Sequence, residues 1–239
     1  MIQQSTPSSP ISSSPSLIQV ENVHKSFLMG KEAVQALRGV SLHVMPGEVI
    51  CLMGPSGSGK TTLLNIIGGL EEPSRGHVIV DGENVVALPE DRLSEMRLTK
   101  MGFVFQSYNL LANFTARENI EVPMALAGLS RKQRRKRVEA LLESVGLADR
   151  ADHYPSEPSG GQQQRVAIAR ALANNPLILI GDEITGDLDS ETGFEVMEIV
   201  AQLNREQGTT VIYVTHDNRM AKFAHRVIQL RDGRIIDTD

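Results

Sequence analysis

Apolar and polar residues alternate over residues 17–23, and similar strand-like runs occupy 40–44 and 48–53, on either side of the turn Met45-Pro46-Gly47. That is the pattern of strands with one buried face, so the chain is predicted to open as a small β region. From Gly54 onward, short apolar runs at 78–80, 102–105, 177–180, 210–214 and 226–230 are separated by stretches of helical spacing. Strands alternating with helices predict an α/β fold with a largely parallel sheet. Between Gln106 and Glu157 the strand signal vanishes, and helices are predicted over 115–127 and 130–145. This stretch reads as a helical insertion of about residues 107–157. No repeat of the solenoid kind interrupts the pattern.

Residues 1–16 are rich in Ser, Pro and Gln and lack the basic and apolar blocks of a secretory signal. They are predicted to be a disordered tail, with residues 17–239 as one domain. At 239 residues, 41% of them hydrophobic, the chain is long enough for one substantial core. No apolar run approaches the roughly 20 residues needed to cross a bilayer as a helix. The single cysteine, Cys51, lies in the apolar run Val49-Ile50-Cys51-Leu52-Met53, so the chain supplies neither an internal disulfide nor a multi-cysteine metal site, and a buried inert thiol is expected.

A formal net charge of -5 argues against general nucleic-acid binding, which draws on a surplus of Lys and Arg. The run Arg131-Lys132-Gln133-Arg134-Arg135-Lys136-Arg137 departs locally from that balance, with six cations in seven residues. Because it opens a helical pattern, it reads as a solvated helix face, with anionic lipid headgroups as possible neighbours.

The segment Gly54-Pro55-Ser56-Gly57-Ser58-Gly59-Lys60-Thr61-Thr62 follows an apolar strand and precedes a helical run. It satisfies the phosphate-loop pattern G-x-x-x-x-G-K-[ST] in its required context. Glycines let the backbone curl so that successive N–H groups and a helix N-terminus meet phosphate oxygens. Lys60 is placed to reach the β- and γ-phosphates of a bound nucleotide, and Thr61 to ligate Mg²⁺. Downstream, Leu177-Ile178-Leu179-Ile180-Gly181-Asp182-Glu183 ends an apolar run in two carboxylates. Asp182 suits the metal side and Glu183 the activation of an attacking water.

At Pro158-Ser159-Gly160-Gly161-Gln162-Gln163-Gln164-Arg165 the chain resembles the signature segment of ABC ATPases, and the resemblance extends over about residues 17–236. It implies a P-loop ABC ATPase core with a small antiparallel β subdomain and a helical insertion. It also implies ATP with Mg²⁺ as ligand, and a homodimer in which Ser159, Gly160, Gly161 and Gln162 of one copy face the γ-phosphate held by the other. Gln106 resembles the glutamine that senses Mg²⁺ and the attacking water. His216 resembles the histidine that contacts the γ-phosphate, Phe27 the aromatic that stacks on adenine, and Leu188 with Asp189 the loop that touches the opposite copy. The likeness is strongest to the ATPases of macrolide exporters and lipoprotein-release systems, through Met29-Gly30, Gln35-Ala36-Leu37, Asn65-Ile66-Ile67-Gly68-Gly69-Leu70 and the stretch from Phe103 to Leu111. It implies an ATP-hydrolysing subunit beneath a separate integral membrane permease, at the cytoplasmic face of the membrane, powering export or substrate release.

Four positions depart from the family pattern: Pro158 stands where leucine is usual, Gly181 for alanine, Ile184 for proline, and Asp187 as an added carboxylate. Asp187 is expected to put negative charge near the triphosphate, and with Pro158 to weaken hydrolysis. Two other readings remain open at this stage. One is a soluble ABC protein of DNA repair or translation, which usually carries two cassettes or a long coiled-coil insertion that this chain lacks. The other is a nucleotide-binding module with slight turnover.

Overall fold

The structure, a computed structural model, describes residues 16–30 and 32–236. The predicted disordered tail therefore lies outside the described residues except for Ser16, as do residues 237–239. Strands β1 (Ile18–Met29) and β2 (Glu32–Val44) pair antiparallel, and β3 (Val49–Met53) leads through a glycine-rich turn into helix α1 (Lys60–Ile67). After α1 come β4 (Arg75–Val80), β5 (Glu83–Asn84), α2 (Glu90–Lys100) and β6 (Met101–Phe105). Two helices, α3 (Ala116–Leu126) and α4 (Arg131–Ser144), precede α5 (Gly160–Ala171) and β7 (Ile178–Asp182). The chain continues through α6 (Ser190–Gln207), β8 (Thr210–Val214), β9 (Arg226–Arg231) and β10 (Arg234–Ile236).

Among the described residues the strands form two sheets. The first is antiparallel, in the order β2-β1-β4-β5, and the second runs β10-β9-β3-β8-β7-β6, parallel except at β10. The central strands β3 and β8 are buried along their whole length. Their continuous apolar runs follow from burial on both faces. Val49, Cys51 and Met53 of β3 join the core shared with α3 to α6, while Ile50 and Leu52 join the core shared with α1 and the first sheet. Cys51 is fully buried, and that burial pushes its thiol pKa up to about 11, so the inert thiol expected from sequence is what the fold holds.

The two helices predicted between Gln106 and Glu157 are α3 and α4, and their starts are chemically fixed. Thr115 with Glu118 and Ser130 with Gln133 form reciprocal capping boxes, each satisfying otherwise orphaned backbone donors. The first sheet is longer than its alternating residues suggest, because register shifts between Val20 and Val23, Val23 and His24, and Lys25 and Ser26 break the period of two. Helix α2 carries almost no apolar signal, since Met96 is its one buried side chain.

Two of the departures from the family pattern compensate each other. A Cβ on Gly181, at the end of β7, would lie 2.3 Å from Ile184 Cδ1 and 2.5 Å from Ile184 Cγ1. Ile184 is itself buried at 3% exposure, so it fills the volume that an alanine methyl at 181 would take. Gly181→Ala is expected to lower the unfolding free energy by about 1–3 kcal/mol through overpacking. Ile184→Ala should cost less in that background than in the natural one, with a coupling of about 1 kcal/mol or more in a urea-denaturation cycle. Additive losses would show that the two side chains do not share the space.

Candidate nucleotide site

The turn between β3 and α1 is built by backbone approaches that exclude side chains. Gly54 has φ +146°, and a Cβ there would lie 2.0 Å from the carbonyl oxygen of Leu230 in β9. Gly59 has φ +101° and lies under the carbonyl of Ala36, 2.5 Å from where its Cβ would stand. Only glycine accepts both the dihedrals and the contacts. Gly59 is also the N-cap of α1 and offers no side-chain acceptor, and no acidic residue stands in the first turn. The first-turn N–H groups and the positive end of the helix are thus free to meet an anion.

The helix end opens on a cavity of about 340 Å³ lined by Ala36, Ser56, Gly57, Gly59 to Thr62, Glu183 and His216. Lys60, only 8% exposed, donates from Nζ to the carbonyls of Gly54 and Pro55, both at 2.9 Å. These carbonyls hold the ammonium in place, and phosphate oxygens are stronger acceptors that can replace them. Thr61 Oγ1 donates to Asp182 Oδ1 at 3.0 Å, which brings a hydroxyl and a carboxylate oxygen together at the cavity edge. A hard-oxygen pair of this kind fits Mg²⁺, which takes one or two protein oxygens and completes its shell with water and phosphate. Burial raises the pKa of Asp182 and Glu183 adds to the rise, while the Thr61 hydrogen bond and Lys60 oppose it.

Glu183 leaves the strand in a left-handed conformation, φ +51°, with its N–H bonded to Val214 O at 3.1 Å. Its side chain reaches His216, Oε2 to Nδ1 at 2.9 Å, with the carboxylate mostly covered and the imidazole largely exposed. With a carboxylate oxygen accepting, Nδ1 is the donor in this contact.

Other predicted site residues lie outside this lining. Phe27 of β1 is 37% exposed, with Lys25 Nζ 5.0 Å from its ring centroid. Gln106, just past β6, donates from Nε2 to Asp187 Oδ1 at 2.6 Å. Asp187, the added carboxylate, is exposed, lies outside the cavity lining and accepts that amide hydrogen bond, which leaves its charge in place. Pro158 is half-buried, one residue before the N-cap of α5, where a missing N–H costs no helical hydrogen bond. Ser159 caps α5, accepting from Gln162 N at 3.4 Å while Gln162 Oε1 accepts from Ser159 N at 3.0 Å. Gly160 and Gly161 occupy its first turn, so the signature segment forms a second helix N-terminus separate from the one at Lys60.

Two contributors carry no motif signal of their own. Ala36 of β2 lines the cavity as an ordinary strand residue. Gln164 of α5 is fully buried and donates from Nε2 to Ile184 O at 2.5 Å and Phe105 O at 3.5 Å. It ties the signature helix to the segments holding Glu183 and Gln106. Its place on the buried face with Gly161 and Ile168, at helical spacing, is the signal that marks it as more than a surface amide.

A phosphate cradle at the carboxyl ends of a parallel sheet, with a hydroxyl and carboxylate for a metal and a carboxylate–imidazole pair opposite, defines a P-loop nucleoside triphosphatase. The chain belongs to the ABC transporter family, whose model, described as "ABC transporter", matches residues 37–186. It is 49% identical to an uncharacterized ABC transporter ATP-binding protein of Thermotoga maritima over 92% of this chain and 93% of that one. It is equally 49% identical to the macrolide export ATP-binding/permease protein MacB of Syntrophobacter fumaroxidans, over 92% of this chain but 31% of that longer protein. Among solved structures it resembles the dimeric post-hydrolysis state of the Methanocaldococcus jannaschii cassette MJ0796 bound to ADP and Pi, with 46% identity, a TM-score of 0.86, and coverage of 93% of this chain and 97% of that one. The chain is accordingly an ATP-binding cassette and an ATPase, with ATP and Mg²⁺ as its ligands.

The Asp182 shift gives a testable sign. A folded-state pKa raised above the unfolded value means that the native protein holds the proton more tightly, so this carboxyl's contribution to stability is greatest below the unfolded pKa and falls as pH rises through the raised value. Asp182→Asn keeps the acceptor for Thr61 and removes the buried charge. Differential scanning calorimetry of the nucleotide-free protein at pH 7 should show a higher Tm for the variant, while the extra stabilisation by ATP with Mg²⁺ over ATP alone should disappear. An unchanged or lower Tm would contradict the burial argument.

Proposed function

We propose that this cassette is the ATP-driven motor subunit of a membrane export or release system, working as a homodimer beneath a separate permease at the cytoplasmic face of the membrane. The observation that carries the proposal is the single cavity shared by Lys60, Thr61, Glu183 and His216. Among the described residues no helix is long and apolar enough to cross a membrane, so a transport role calls for a membrane-spanning partner. The relatives supply the direction: the Syntrophobacter protein is named as a macrolide exporter that joins ATP-binding and permease parts in one chain, and this chain matches about a third of its length.

In this reading the N–H groups of Gly57 and of Gly59 to Thr62, together with the Lys60 side chain, hold the triphosphate, and Phe27 stacks on adenine at the mouth of the site. Thr61 and Asp182 are the metal-side oxygens, joined by Gln106 when its amide leaves Asp187. Mg²⁺, when bound, neutralises charge on the β- and γ-phosphates. Glu183 accepts a proton from the attacking water, and His216, fixed by Glu183 through Nδ1, presents its other ring nitrogen to the γ-phosphate side. Ser159 and the N–H groups of Gly160, Gly161 and Gln162 come from the second copy, so hydrolysis requires closure of the dimer. Residues 107–157 act as a helical unit that follows ATP through Gln106 and passes movement to the permease.

The decisive experiment separates binding from closure. Glu183→Gln should bind ATP, hydrolyse it about 10²-fold more slowly or worse, and accumulate as dimer in light scattering with ATP. Adding Ser159→Arg should abolish the dimer and leave ATP binding to the monomer largely intact, whereas Lys60→Ala should remove tight ATP binding itself. A double variant that still dimerises with ATP would overturn the two-copy site.

A further inference from the structure

The run of six cations ahead of residue 138 is not uniformly solvated. Arg134 pairs with Glu121 and Arg135 with Glu139, the first across to α3 and the second one turn along α4. Arg137 is different: its Nη2 donates to Leu172 O at 3.0 Å, its Nε is buried without a hydrogen-bond partner, and no carboxylate pairs with it among the described residues. Burial lowers its pKa, the mark of a guanidinium drawn from water without a counter-ion. Half-buried charges without an anion are costly and uncommon, because desolvation is not offset.

Arg137 stands where two clefts meet. One, of about 600 Å³, lies between α4 and the turn after α5, with Leu129, Ala140 and Ala173 as apolar walls and Lys136 and Arg137 as its cations. The other, of about 540 Å³, shares Arg137 and Asn175 and extends to Pro46 and Gly208, beyond the amino ends of β3 and β8. That is the opposite end of the strands from the nucleotide cavity, and no lining residue is common to them. Among the described residues no Asp or Glu lines either cleft, although the chain as a whole carries 29 of them against 24 Lys and Arg. Asn174, on the wall of the first cleft, donates to Leu98 O at 2.9 Å and Pro123 O at 3.1 Å, which fixes its amide and leaves Oδ1 buried without a donor.

We propose that the Arg137 cleft binds an anionic amphiphile: a phosphate or carboxylate head paired with Arg137 and Lys136, and a short apolar chain along Leu129, Ala140 and Ala173. The volume is that of an ordinary small-ligand pocket, and a guanidinium fork is the side chain best matched to either head group. Arg137 also holds the C-cap carbonyl of α5, whose other end carries Ser159, so the head group sits one hydrogen bond from the signature helix.

Calorimetric titration of the full chain with decanoyl lysophosphatidate, decanoate and glycerol 3-phosphate tests this. Saturable binding of lysophosphatidate or decanoate below about 1 mM, weakened at least about tenfold by Arg137→Gln, supports the site. Ala140→Trp fills the cleft from an exposed helix position, avoids any loss of folding at Arg137, and should abolish binding while ATP affinity is kept. Binding of lysophosphatidate alone assigns a phosphate head, and binding of decanoate alone assigns a carboxylate. Affinity for glycerol 3-phosphate equal to that for lysophosphatidate, binding indifferent to both variants, or no saturable binding of either amphiphile overturns the proposal.

Discussion

The register of the parallel sheet is the constraint on which the site depends. Leu52 of β3 and Asp182 of β7 both stand opposite Val214 of β8, and Phe105 of β6 stands opposite Asp182. Each strand therefore stops at the same level, and the first residues beyond it are Gly54, Gln106, Glu183 and His216 or their immediate neighbours. A slip of one residue in any pairing would exchange the side chains packed on the two faces of the strand and displace a residue of the candidate site with them. Because β3 and β8 are buried on both faces, that slip is opposed along their whole length. Precision at the phosphate site is thus supplied by core packing rather than by contacts among the polar residues themselves.

Much of this was legible in the sequence where one physical cause governs a stretch. Apolar runs marked β6, β7 and β8 of the parallel sheet, and Thr115 and Ser130 the starts of α3 and α4, but the run at 48–53, read with the opening β region, is the central parallel strand β3, and the run at 78–80, read with the parallel sheet, belongs to β4 of the antiparallel one. Legibility failed where tertiary partners decide. The bulges of β1 hide its length, and α2 is held with only one buried side chain. The neutral-looking Gln164 gains its role from carbonyls 20 and 59 positions away. The hydrogen bond from Gln106 to Asp187 could not be read because the two are 81 residues apart in sequence.

Those long-range polar links also show how nucleotide chemistry can be felt elsewhere in the molecule. Gln106 is held by Asp187, and Gln164 joins α5 to the carbonyls next to both carboxylate and glutamine segments. Arg170 of α5 donates to the carbonyls of Tyr108 and Asn109, which follow Gln106 with positive φ. The loop after β6 is therefore fastened to the signature helix by hydrogen bonds to its backbone.

The exchange of volume between Gly181 and Ile184 has a historical meaning. With a methyl at 181, isoleucine at 184 meets atoms at 2.3 to 2.5 Å, whereas glycine at 181 tolerates either a large or a small residue three positions on. If an ancestor carried the common alanine, the order of steps that meets no overpacking passes through glycine first, and a return to alanine carries the overpacking cost while isoleucine remains.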